Sequence, residues 1–495
     1  MTVSKEVFFL DPDARTSKQS QIQQIVAAAV LSGRFRPGDK LPSSRQLARH
    51  LGVSRITVTL AFNELVAEDY LHPRDRSGYY VSAIAPLPAQ PTPSRVENDT
   101  VDWNRALRHR YTGFPAVEKP ADWRRFAYPF VYGQADPDLF DQAAWRLCAQ
   151  EALGRKEFDS LTLDYAGHDD PELVEFIVSQ TLPRRGILAR REQVLITLGA
   201  QNALWLAAQV LSGPGSRIVH EKPIYAGIRD ILRAAGGTRH PLAEDESGLD
   251  PDSLPDGTDV VVVTPSHRSP TTATMPMDRR RALLAKASRQ GFLIIEDDYE
   301  FEMSFLAPPS PALKSLDAEG RVIYAGSFSK SVFPGLRLGY LVGSEPFIRE
   351  ARALRTTVLR HPPGLIQRTT ARFLAKGHYA ALIRRMLTAY EARHGAALKA
   401  FARHGLQIAG RAAFGGSSFW MRAPEHVDTE ELAGRLQAQG VLIDPGRPFF
   451  EGDDPPRNYF RLGFSSIGVD RIPEGVARIA AAIDELDSQA DRNWP

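Results

Sequence analysis

A single cysteine, Cys148, stands in 495 residues, so no intrachain disulfide can form and the expected setting is a reducing cytoplasm. Its helical neighbours would be Trp145 and Ala152, which predicts a buried structural thiol. No apolar run approaches a membrane span, and the opening MTVSKEVFFLDPDAR lacks the apolar stretch of a signal peptide. An excess of one charge is also missing. The 61 Lys and Arg face 59 Asp and Glu, so the chain as a whole does not announce nucleic acid. No internal repeat and no metal-ligand set stands out. What remains is a soluble, globular composition and length enough for roughly two to four domains.

The charge is unevenly placed. Between Arg15 and Val81, ten basic residues face five acidic ones, a local excess suited to a phosphate-facing module. Apolar spacing predicts a helix over 17–32, with Ile22, Ile25, Val26 and Ala29 on one face, ended by Gly33 and Pro37-Gly38. Ser43 or Ser44 can cap a second helix that stops at Gly52, and Ser54 caps a third running to about Glu68. Tyr70-Leu71 and Tyr79-Tyr80-Val81 read as short strands around a hairpin tip at 74–78. The order is three helices and a wing.

The segment LPSSRQLARHLGVSRITVTLAFNELVAEDYL resembles the GntR-type winged helix-turn-helix, an α+β module placed at 14–82. That resemblance implies double-stranded DNA as partner, with the third helix in the major groove. Arg55 is the expected base reader, since a guanidinium pairs bidentately with guanine. Ser54 and Thr57 start the same helix. Ser43, Arg45 and Thr59 suit phosphate or base-edge contacts, and Arg74, Arg76 and Gly78 suit the wing. Ile56, Val58, Phe62, Leu65 and Val66 are expected in the core. A winged helix used for protein contacts is the alternative. A dimer reading paired half-sites is expected.

Residues 83–123 carry six prolines in a polar stretch and read as a semi-extended linker with a helical patch near Asp102–His109. A movable arm and a passive spacer both fit. From 124 to 495, short apolar strands alternate with helices. Strands are expected at Gln193–Thr197, Arg217–His220, Asp259–Thr264, Phe292–Glu296, Arg321–Ala325 and Arg337–Val342. This is an α/β pattern with a mostly parallel sheet. A smaller α+β subdomain is expected over 377–495, with strands near Phe419–Arg422 and Asn458–Leu462.

Several residues here form a chemical constellation: GSFSK around Lys330, SVFPGLRLGY around Arg337, IIEDDYE around Asp297, EKPIYAG around Tyr225, and YFRLGF around Arg461. They look like a fold-type I aminotransferase. Joined to the N-terminal module, the chain resembles the MocR subfamily of GntR regulators. The resemblance implies pyridoxal 5'-phosphate, with Lys330 as the Schiff-base lysine. Ser327 and Arg337, helped by Ser329, would bind its phosphate, and Gly199, Ala200 and Gln201 would offer backbone N–H groups at a helix start. Asp297 would pair with the pyridine nitrogen, and Tyr299 would donate to the ring oxygen. Tyr225 would stack on the ring. Glu296 and Asp298 are expected to be exposed charges. Arg461 would clamp the acid end of an effector, carboxylate or sulfonate. Tyr165 would reach the partner subunit's phosphate in a homodimer.

Two departures from the aminotransferase pattern appear. In TPSHRSPTTATMP, Ser269 stands where an asparagine is usual and Thr272 where a glycine is usual; His267 is the candidate to take over the ring-oxygen contact. The DYAGHDDPEL turn is one residue short. Both weaken the case for efficient transamination. The resemblance therefore implies a regulator in which a small amino compound exchanges onto the cofactor in place of Lys330. Taurine or an ectoine-derived diamino acid is faintly favoured. Gly227 leaves room in the site without supplying a second cation, for which Arg360 and His361 are candidates. A working aminotransferase with an autoregulatory DNA module is the main alternative, and a vestigial dimerisation scaffold the lesser one.

Overall fold

Serine caps set the N-terminal helices. The computed structural model describes residues 2–492 apart from 15, 76, 86–100, 113–114, 135, 165, 244, 411–412 and 453. Arg76 and Tyr165, both singled out above, lie outside the described residues. The chain divides into two units, Met1–Arg110 and Tyr111–Pro495.

In the first unit, α1 (Lys18–Leu31), α2 (Ser44–Leu51) and α3 (Arg55–Ala67) are capped by Ser17, Ser43 and Ser54. Ser43 forms a full capping box with Gln46, and Gly52 ends α2 in the left-handed conformation at φ 62°. Strands β1 (Leu71–Arg74) and β2 (Gly78–Val81) pair antiparallel as the wing. The core joins Ile22, Val26, Leu47, Val58, Phe62 and Leu65. Phe8, from the segment before α1, is fully buried there as well. On α3 the buried stripe is Val58, Ala61, Phe62 and Leu65. Ile56, expected in the core, is 70% exposed. It precedes Val58 by two positions, so a helix turns it to the opposite face. The linker reading covers the undescribed 86–100. Beyond it, Trp103–Ala106 forms one helical turn capped by Asp102.

The second unit is built on a seven-stranded sheet. Its strands are β3 (Val194–Thr197), β4 (Arg217–Lys222), β5 (Thr238–Ala243), β6 (Val260–Val263), β7 (Leu293–Asp298), β8 (Val322–Ser327) and β9 (Gly339–Val342). They are ordered β3-β9-β8-β7-β6-β4-β5, and β9 alone of the seven runs against its neighbours. The buried VVVV run of β6 and the LII start of β7 reflect strands covered on both faces, which need apolar side chains on both. The six expected strands are present. Arg337 falls just outside β9, in a turn at φ 49°. Edge strand β5 was not among those expected. Its sequence TRHPLA is half exposed and holds a proline, which an edge tolerates.

Helix α4 (Gly199–Leu211) leaves the end of β3. The smaller part has two long helices, α5 (His378–His404) and α6 (Ile472–Arg492). They pack with a four-stranded sheet, β10 (Gln407–Ile408), β11 (Ser418–Arg422), β12 (Asp444–Pro445) and β13 (Tyr459–Gly463), in the order β10-β11-β13-β12. Cys148 is buried, as expected of a structural thiol. No helix among the described residues is long and apolar enough to cross a membrane.

Candidate functional sites

In a sheet of this kind, ligands gather outside the carboxyl ends of parallel strands. Asp297 is next to last in β7, Ser327 ends β8, and Gly199 follows β3, so three strand ends open toward one place. Lys330 follows β8 by three residues. Its ammonium lies 4.3 Å from the ring centre of Tyr132. Burial pushes its pKa down to about 8; Lys119 and Arg461 push the same way, and Glu300 opposes them. A sizeable share of the amine is therefore neutral near physiological pH.

Asp297 is buried, and its Oδ1 makes no hydrogen bond. Burial raises its pKa to about 8, and the nearby Asp298, Glu221 and Glu296 add to the rise. A buried carboxyl with an idle oxygen at a strand end calls for a cationic or donor partner. Glu296 and Asp298, expected to be exposed, are both buried. Glu296 accepts the N–H groups of Leu313 and Lys314 at 2.8 and 2.7 Å. Asp298 accepts from the buried Arg185 at 2.7 Å and from the Tyr324 hydroxyl at 2.7 Å. These two carboxylates brace the sheet, which leaves Asp297 as the member of the trio facing the opening.

Ser327 Oγ accepts the N–H of Ser329 at 3.1 Å, while Ser329 Oγ is buried without a hydrogen bond. A Cβ on Gly199, itself at φ +80°, would lie 3.5 Å from both Ser329 Oγ and the Arg337 guanidinium. Glycine, serine and arginine therefore ring one space at the start of α4. The first N–H groups of that helix, from Gly199, Ala200 and Gln201, have no intrahelical acceptor. The hydroxyl, guanidinium and helix start together suit a phosphate.

Tyr225 caps the helix Ala226–Ala235 and is 38% exposed. A Cβ on Gly227 would come within 2.5 Å of its ring, so Gly227 lets that ring lie where it does. Tyr299 is half-buried beside Tyr132, Glu300 and Asp297, and burial raises its pKa. His267 is turned toward Glu300, at 3.5 Å, and toward Gly416. Burial lowers its pKa, so the ring is neutral and that separation is a contact, not a salt bridge.

Arg461, on β13, is buried and ion-paired with Asp444 at 2.8 Å. Its guanidinium lies 3.9 Å from the Tyr132 ring centre and 3.5 Å from Ser269 Oγ. Thr272, in the usual glycine position, keeps φ +61°. That left-handed backbone costs a side-chain-bearing residue about 1–2 kcal/mol. Arg360 and His361 turn to Asp164.

Three residues near Lys330 escaped the sequence reading. Tyr132 lies between Lys330 and Arg461 and donates to Glu300 at 3.5 Å. Glu300 is buried and also accepts from the Ser417 hydroxyl. Lys119 donates to the Tyr132 carbonyl. The only available signal was the aromatic-glycine run YPFVYG.

In the first unit, Ser43 and Ser54 are engaged as caps, Ser54 Oγ with the N–H of Thr57 at 3.0 Å. Thr59 donates back to the Arg55 carbonyl at 2.9 Å. Arg45 and Arg55 are exposed, and Arg55 reaches Ser44 Oγ at 3.3 Å. On the wing, Arg74 lies 4.4 Å from the Tyr80 ring centre, and Gly78 takes φ +110°.

Residues 18–81 match the profile of bacterial regulatory proteins of the gntR family, and 144–479 that of aminotransferase class I and II. The chain is 56% identical over 483 residues to HTH-type transcriptional regulator TauR of Rhodobacter capsulatus, covering 98% of this chain and 100% of the relative. It is 30% identical over 488 residues to the probable rhizopine catabolism regulatory protein MocR of Rhizobium meliloti, covering 97% and 96%. Among solved structures, LysN, an α-aminoadipate aminotransferase of Thermus thermophilus complexed with N-(5'-phosphopyridoxyl)-L-leucine, superposes with a TM-score of 0.69 at 26% identity, over 79% of this chain and 100% of that one. Kynurenine aminotransferase of Pyrococcus horikoshii, in complex with PMP, gives 0.66 at 27% identity, over 74% and 95%.

Proposed function

Because the chain belongs to the MocR subfamily of GntR-type regulators, with a fold-type I aminotransferase-like domain behind its winged helix, we propose that it senses a small amino compound through resident pyridoxal 5'-phosphate and sets transcription accordingly. The observation that carries this is Asp297, buried at a strand end with an idle oxygen, in the same opening as the half-buried Lys330. When bound, the cofactor supplies an aldehyde for amines and an electron-withdrawing ring.

The chain's own residues fit that group. Asp297 would hold the proton of the pyridine nitrogen, whose charge offsets the burial that otherwise keeps this carboxyl protonated. Ser327, Ser329, Arg337 and the start of α4 would hold the phosphate. Tyr225 would lie on the ring, and Tyr299 would donate to its oxygen. Lys330 offers a partly neutral amine, able to attach and to be displaced. Arg461 would fix the effector's acid group, and its existing pairing with Asp444 orients the guanidinium beforehand. Tyr165 would complete the phosphate site of the partner subunit in a homodimer.

Arg55, Thr57 and the exposed Ile56 would read base edges, Ile56 through thymine methyl groups, with Arg45 and Arg74 on phosphates. Effector occupancy would change the placement of paired winged helices on DNA, a coupling between two sites. The replacements at Ser269 and Thr272 support a sensor with little turnover. Taurine, an aminosulfonate, is the favoured effector class. Titrating the visible absorption of the cofactor-loaded protein with taurine, amino acids and diamino acids tests this. A band that shifts with one amine and persists is expected. Bleaching with accumulation of an oxo product would overturn the reading in favour of an aminotransferase.

A further inference from the structure

We propose that Lys119, carried on the chain segment that follows the proline-rich stretch, is a second cation for the effector's acid group and favours a sulfonate over a carboxylate. The inference rests on the sensor reading above. The segment is pinned in place: Arg229 donates to the Pro115 carbonyl and to the Pro448 carbonyl, each at 2.8 Å. Four residues after Pro115, the Lys119 ammonium donates to the Tyr132 carbonyl. Asp444 and Arg461 are the charged neighbours that act on this ammonium, the first favouring its charge and the second opposing it. Asp444 in turn holds Arg461, whose guanidinium covers the face of Tyr132. Tyr132 is thus a hub with Lys119 on its backbone and Lys330 and Arg461 on its ring.

Charge sharpens the argument. Asp444 is engaged by Arg461, and Glu300 stands toward Lys330. The Lys119 hydrogen bond goes to a neutral carbonyl; burial destabilises its charge, and the field of Asp444 offsets part of that. Lys119, Arg461 and Asp444 together leave one net positive charge, a match for one acid group. The two acid classes use these cations differently. A carboxylate presents two oxygens in a plane, and one guanidinium fork can satisfy both. A sulfonate presents three oxygens at tetrahedral angles, so one points away from the fork. A point-charge ammonium from another chain segment suits that third oxygen.

The test uses the cofactor-loaded full-length protein. Taurine and β-alanine differ only in sulfonate against carboxylate, and each is titrated by the visible band. Lys119→Met should weaken taurine about tenfold or more and β-alanine by under about threefold, since a charge-assisted hydrogen bond is lost in one case only. Lys119→Arg should restore most of the preference. Lys119→Gln serves if the methionine variant fails to fold. Equal weakening of both ligands, or no weakening of either, overturns the proposal. A wild-type band that responds to no amine overturns the sensor reading, and this inference falls with it.

Discussion

Gly133→Ala should separate the stability of the fold from the loading of the cofactor. An added Cβ would stand 2.0 Å from Lys330 Nζ and 3.3 Å from its Cε. Ordinary contact begins at about 3.5 Å, so the amine must move by more than about 1 Å. The lysine tip is flexible and can swing away, so the clash itself adds little to instability. The backbone cannot escape so easily: Gly133 sits at φ +68°, where alanine costs about 1–2 kcal/mol. A reactive group misplaced by about 1 Å, however, costs on the order of a hundredfold. Urea unfolding of the cofactor-free protein should therefore fall by about 1–2 kcal/mol, while growth of the visible band after adding pyridoxal phosphate should slow about a hundredfold. Wild-type loading with a lowered unfolding midpoint would refute the placement of Gly133 against Lys330. Slow loading with a loss above about 4 kcal/mol would show that the fold itself had failed.

Other expectations follow from buried charges and the exposed helix. Arg185→Met leaves Asp298 buried without its cation and should cost about 3–5 kcal/mol in urea unfolding, part of it recovered by adding Asp298→Asn. Asp297 in the cofactor-free protein titrates near 8, above its unfolded value, so its protonated form binds the native state better. Wild-type stability should thus fall as pH rises from about 4 to 8, and Asp297→Asn should make that slope shallower in thermal melts, with Glu296, Glu302 and Asp170, also raised by burial, supplying the remainder; an unchanged slope would count against the burial argument. Arg55→Ala should weaken specific DNA binding by about 1–3 kcal/mol in fluorescence anisotropy, with the melting temperature unmoved because the side chain is exposed. Ile56→Ala should lower affinity for thymine-containing sites and also leave stability intact; a large drop in melting temperature would mean Ile56 is packed.

What the sequence disclosed follows the range of the interactions. Caps at Ser43 and Ser54 and the apolar runs of the central strands are local signals, legible because a few neighbouring residues decide them. Edge strand β5 was not legible, since half exposure and Pro241 mimic a turn. The Glu296-Asp297-Asp298 run shows the limit clearly. The outer two acids, Glu296 and Asp298, read as solvent-facing, yet both are buried, because Arg185 and the backbone at 313–314 arrive from distant segments. Tyr132, Glu300 and Lys119 were missed for the same reason: their meaning lies in partners that only folding brings together. Ile56 was misplaced because one apolar residue beside a helix start does not reveal its face; the spacing to Val58, Ala61, Phe62 and Leu65 does.

The division of labour at the start of α3 has an evolutionary consequence. Ser54 is occupied in holding the helix end, and the stripe from Val58 to Leu65 in holding the core. Arg55 and Ile56 face outward and carry neither duty. Substitutions at these two positions are therefore close to neutral for folding, and under the proposed reading their effects would fall on DNA contacts. A lineage could then exchange one target sequence for another by drift at two codons, without first acquiring compensating stability elsewhere.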